Sequence, residues 1–99
     1  MKKKSVSETA ALVLDRIPSS RFWTKGSYDG GNGGERRCVL GAVRPEVEGT
    51  QYVAFTNAFV AKAKELFPYR QFRDIPGFND HDETRYEDVR VVLEKLRAE

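Results

Sequence analysis

The run Arg36-Arg37-Cys38-Val39-Leu40-Gly41-Ala42-Val43 constrains this chain more than any other stretch. It is apolar enough to demand burial, holds the only cysteine and follows directly on a glycine-rich segment. Gly41-Ala42 leaves one side nearly bare of side chains, so another segment can approach its backbone. The pattern predicts a short central helix, entered from Gly34-Glu35 and stopped by Pro45, because the residue before a proline leaves helical space. A cysteine at the head of a helix is a candidate nucleophile, since the dipole lowers thiol pKa. Free cysteine is more often a small buried apolar residue, and that reading is preferred.

Ninety-nine residues make one domain, 1–99, with a single modest core. The apolar fraction of 39% is low, and the 11% of aromatic residues compensates by burying more area per side chain. One cysteine excludes an internal disulfide and any multi-cysteine zinc site, and a lone thiol fits a reducing, cytoplasmic location. Lys2 to Lys4 are expected to form a flexible basic N-terminus. They look like the start of a signal peptide, but the apolar run Ala10 to Leu14 is too short for export or for a membrane span. No cofactor is expected.

Along the chain, Ser5 and Glu8 have capping-box spacing. Ala10, Val13, Leu14 and Ile17 then fall on one helical face that ends at Pro18. Residues 21–34 hold five glycines with Phe22, Trp23 and Tyr28, which precludes a helix. They are expected to form an irregular arm, with a minor β-hairpin over Phe22–Asn32 and a tight turn at Asn32-Gly33. Thr50 is expected to cap a long helix reaching Phe67, its inner side marked by Tyr52, Phe55, Phe59, Ala63 and Leu66. Residues 68–83 read as a long loop held down by Phe72, Ile75, Pro76 and Phe78. Thr84-Arg85-Tyr86-Glu87 reads as a second capping box opening the last helix, whose stripe is Tyr86, Val89, Val92, Leu93 and Leu96. The fold class is therefore all-α or mostly α, with about four helices and long ordered loops.

Taken together, Trp23…Gly26, Cys38-Val39-Leu40-Gly41-Ala42-Val43, Phe78-Asn79-Asp80 and Thr84…Asp88-Val89 resemble a domain-of-unknown-function family of small actinobacterial and actinophage proteins. Its usual pattern is an aromatic and glycine segment, then Cys-x-x-Gly-Ala-apolar, then Trp-Asn-Asp, then Thr with Glu-Val. This chain departs in having Phe78 for Trp and Asp88 for Glu. The resemblance implies a small helical cytosolic domain of an actinobacterium or its phage. It transfers no catalytic residue to these positions.

Four constellations bear on chemistry. Cys38, His81 and Asp80 are the only candidates for a nucleophile, base and orienter, but adjacent Asp80 and His81 cannot easily make the orienting bond. Asp80, His81, Asp82 and Glu83 lack the spacing of a calcium or zinc site, and acidic residues before a helix suit its dipole. Gly30-Gly31-Asn32-Gly33-Gly34 lacks the ending of a phosphate-binding loop. The remaining constellation is basic and aromatic. Residues 16–44 carry six basic side chains against two acidic ones, and Arg21, Lys25, Tyr28, Arg36 and Arg37 are the candidate binding residues. Such a set suits protein hot spots and single-stranded nucleic acid alike, and Trp23 fits equally well as a core plug. Trp23, Cys38, Gly41, Ala42, Asn79, Asp80 and Thr84 are assigned structural roles, with Asn79 and Asp80 organising the loop before the last helix. The expected function is a non-enzymatic protein-binding accessory, phage-encoded and directed at a host protein. A nucleic-acid-binding accessory comes second, and a cysteine-dependent enzyme is a distant third.

Overall fold

The computed structural model describes residues 5–26, 37–43 and 49–99. Five helices follow in order: α1 Val6–Arg16, α2 Val39–Val43, α3 Gly49–Leu66, α4 Ile75–Asn79 and α5 Tyr86–Ala98, with a 3-10 turn at Ser20–Phe22. Among the described residues there is no strand, and no helix is long and apolar enough to cross a membrane. The all-α expectation holds.

Helices α1 and α5 lie against each other and form the broadest seam of the molecule. Ser5 caps α1 as its spacing predicts: its Oγ accepts the Glu8 N–H at 3.1 Å, and Glu8 Oε1 accepts the Ser5 N–H at 3.1 Å. Ala10, Val13 and Ile17 are completely buried, and so are Val89, Val92 and Leu93 opposite. The two helices are also tied at both ends by polar bonds. Ser7 Oγ donates to the Arg97 carbonyl at 2.6 Å, and the Tyr86 hydroxyl donates to the Ile17 carbonyl at 2.6 Å.

The start of α5 differs from expectation. Thr84 does not cap it. Arg85 occupies the N-cap position, and its N–H is met by Asp88 Oδ2 at 3.1 Å. Thr84 is buried, with its hydroxyl oxygen accepting from Arg70 Nη1 at 3.2 Å. The same Nη1 donates to Asp88 Oδ2 at 3.0 Å, so Arg70 draws both side chains inward.

Helix α3 begins at Gly49, one residue before the expected cap, with φ +62°, a left-handed conformation that glycine adopts without strain. Phe55, Phe59 and Ala63 are fully buried, while Tyr52 and Leu66 are only partly so. Phe59 meets Phe78 edge-on at 5.7 Å, and Phe78 in turn contacts Phe67 at 5.6 Å and Phe72 at 5.0 Å. Phe78 lies on α4, a helix within the segment that the sequence pattern reads as loop. Asp74 caps this short helix by accepting the Gly77 N–H at 2.8 Å, and Pro76 sits in its first turn, where its missing N–H costs nothing.

Helix α2 is central as expected: all five of its residues are buried, between α1 and α4. Its proposed stop at Pro45 lies outside the described residues, as do Lys2 to Lys4 and the Asn32-Gly33 turn of the expected hairpin. The pairing that is described is a single parallel bridge. Thr24 N–H donates to the Arg37 carbonyl at 3.2 Å, and Arg37 N–H donates to the Phe22 carbonyl at 2.7 Å.

Candidate functional site

Asn79, the last residue of α4, is 1% exposed and every bonding capacity of its carboxamide is used. Oδ1 accepts from Trp23 Nε1 at 2.8 Å and from the Val39 N–H at 3.2 Å. Nδ2 donates to the Thr24 carbonyl at 3.0 Å and to Asp80 Oδ1 at 2.9 Å. A primary amide has two donors and two acceptor lone pairs, so this side chain is saturated. Val39 opens α2, and a first-turn N–H has no partner within its own helix. Asn79 thus caps α2 from a distant part of the chain.

Asp80 extends the same junction. Its Oδ1 also accepts the Gly26 N–H at 2.8 Å, and Gly26 holds φ +80°, a conformation that side-chain-bearing residues rarely adopt. Lys25 Nζ donates to the His81 carbonyl at 2.6 Å. The sequence pattern assigns Asn79 and Asp80 to the turn before α5. That local turn is made by backbone bonds instead, Asp80 N–H to Pro76 O and Thr84 N–H to His81 O. The two side chains fix the base of the arm, Trp23 to Gly26, to the end of α4.

The nucleophile candidates are spent on structure. Cys38 is 9% exposed, and its Sγ accepts the Gly41 N–H at 3.3 Å. Burial pushes the thiol pKa up, backbone hydrogen bonds pull it partly back, and the charge of Asp80 adds to the rise. That is the opposite of the depressed pKa a cysteine nucleophile needs. His81 Nδ1 accepts the Glu83 N–H at 3.1 Å, so one ring nitrogen is already engaged. No cluster of three metal-ligating side chains occurs among the described residues.

The binding candidates are placed more suggestively. Arg21 and Lys25 are both exposed. The Arg21 guanidinium lies 5.5 Å from the Phe22 ring centre, and Lys25 Nζ lies 5.7 Å from that of Trp23. Trp23 is half-buried, packs on the core and meets Tyr86 at 6.4 Å, as a core plug should. Arg37 is partly buried at the arm's base, while Tyr28 and Arg36 lie outside the described residues. Arg70 was missed by sequence reasoning. Its side chain is only 12% exposed, stacked 4.5 Å over Phe67 and bonded to Thr84 and Asp88. No spacing announces such a residue, because its partners lie 14 and 18 positions further on.

A small helical domain built around a saturated buried asparagine is the class these observations define. The chain belongs to a family of unknown function, DUF6197, which matches it over residues 1–99. No curated protein and no solved structure matches it.

Proposed function

We propose that this domain is a non-enzymatic cytoplasmic accessory that works by binding another protein, with the base of the arm in the contact surface. The observation carrying this reading is the setting of Arg21 and Lys25. Both are exposed cations held beside aromatic rings, on backbone that Asn79 and Asp80 pin at Thr24 and Gly26. Preorganised cations beside aromatic rings lower the ordering cost of association. The side chains on which an enzyme reading relied, Cys38, Asp80 and His81, have structural partners.

A protein partner is favoured over nucleic acid by the state of the rings. Base stacking needs an open aromatic face. Trp23 has Lys25 and Tyr86 beside its ring, and Phe22 has Arg21 beside its own. The test is cross-linked capture from the native cytosol, comparing the full chain with its Arg21→Glu/Lys25→Glu variant. The expected result is one protein retained by the parent chain and lost by the variant, with the variant still folded by circular dichroism at the assay temperature. That control is needed because Lys25→Glu also removes the bond to the His81 carbonyl. Retained material that is nucleic acid, and that falls away roughly tenfold or more over a few-fold rise in salt, would assign the surface to the other class.

A further inference from the structure

A groove of about 560 Å³ runs between α3 and α4 with Leu40 of α2 in its wall. Leu40, Tyr52, Val60, Ala61, Ile75 and Pro76 supply its apolar lining. On one side it follows α3 from Tyr52 to Lys64, roughly 18 Å at the helical rise per residue, or a little over three turns. The outer face of α3 continues this surface. Val53, Asn57 and Ala61 are exposed at intervals of four, and residues 49–61 contain no charged side chain. Val53 alone is 54% exposed, an apolar residue that helix packing leaves uncovered.

Charge enters only at one end. Lys64 Nζ lies 5.9 Å from the ring of Phe72, so Arg73, the next residue, sits at the same end of the groove. Neither cation has a carboxylate partner among the described residues. Elsewhere on the surface, Lys62 pairs with Glu65 and Glu99, and Arg90 pairs with Glu94. The one carboxylate lining the groove, Asp74, spends Oδ1 on capping α4. Asp74 keeps its charge while capping α4, so the lining retains a net charge of +1, and the trough is complementary to an apolar segment with an excess of carboxylate at one end.

We infer that this groove docks an amphipathic helix of a partner protein, with acidic residues meeting Lys64 and Arg73 and an apolar stripe filling the trough. Helix-in-groove recognition reads such a stripe at helical spacing. A second copy of this chain is one outcome of the test: a two-fold pairing of α3 faces would set each Lys64 against residues 49–57 of the other helix, which carry no charge. Docking in this groove is independent of any contact made by the arm.

The test pans the full chain against a displayed library of amphipathic helices of about four turns, randomised on both faces. Selected sequences are then measured by fluorescence anisotropy. The expected winners carry Asp or Glu at one end of an apolar stripe. Lys64→Glu/Arg73→Glu should weaken them roughly tenfold or more. Ala61→Gln fills the trough with an uncharged helix former at an exposed site, and should weaken them comparably while the fold stays intact. Arg21→Glu/Lys25→Glu should leave them unchanged, which separates failure of the groove from failure of the arm. Winners that are not acidic, no enrichment at all, or binding that survives Ala61→Gln would each overturn the proposal. So would a dimer in sedimentation that Ala61→Gln dissociates, since the occupant would then be a second copy.

Discussion

The seam between α1 and α5 and the junction around Asn79 hold the same small domain together by opposite means. The seam buries Ala10, Val13 and Ile17 against α5, and most of its stabilisation is non-directional apolar burial. The junction joins α4, α2 and the base of the arm through one carboxamide, across separations of 40 to 56 residues. Burial loses a little when a side chain changes shape. A saturated polar centre loses much more, because removing it strands several buried groups at once. The junction also carries the arm on which Arg21 and Lys25 sit, so its rigidity is what the proposed interface depends on.

The largest effect should come from Asn79→Leu. It keeps the approximate volume and leaves the Val39 N–H, Trp23 Nε1 and Thr24 carbonyl without their partner. At roughly 1–3 kcal/mol for each stranded group, about 4 kcal/mol of stability should be lost in urea titration. A loss below about 1 kcal/mol would mean that water replaces the amide, and the contrast with the seam would collapse. Trp23→Phe should cost about 1–2 kcal/mol by removing one of the donors to Oδ1. The two changes together should cost clearly less than their sum, because they share a bond. Strict additivity would break the claim that these residues act as one unit.

The seam should be forgiving by comparison. Leu93→Met, a volume-conserving change at a fully buried position, should cost less than about 1.5 kcal/mol in the same titration. Ser5→Ala removes the α1 cap and should cost about 1 kcal/mol, read from the melting temperature and the loss of helical circular dichroism.

The smallest effect concerns Cys38 and pH. Its thiol pKa is raised in the folded protein, chiefly by burial, from an ordinary value of 9.0. Above that pH the unfolded chain releases the proton more readily than the folded one. Stability from this group is therefore complete below about pH 9 and declines as pH rises further. The parent chain should show this alkaline decline relative to Cys38→Ala. Tyr86, also raised by burial, titrates in both proteins and cancels from the difference. Native Cys38 should accordingly react slowly with a thiol reagent at neutral pH, and denatured chain quickly. Rapid native labelling would return the thiol to candidacy as a nucleophile.

Local rules carry the seam. The Ser5–Glu8 box and the apolar spacing from Ala10 to Ile17 act within seven residues, so α1 is legible in the sequence, and the stripe of α5 likewise. The central placement of α2 follows from its composition. Helix α4 escapes because five residues are too few to show a period, although Asp74 followed by Pro76 carries a legible start signal. Thr84 departs from expectation for a different reason. Its position before a helix favours capping, but Arg70, 14 residues earlier, offers it a buried partner. The Asn79 junction has no sequence trace beyond the presence of its residues, because hydrogen bonds between segments 40 to 56 positions apart impose no periodicity. Sequence alone therefore determined that α1, α2, α3 and α5 are helical and which sides they bury, since those interactions lie within a few residues of one another. Only the tertiary structure decided which polar side chains meet, because that depends on where the packed helices bring distant backbone within reach.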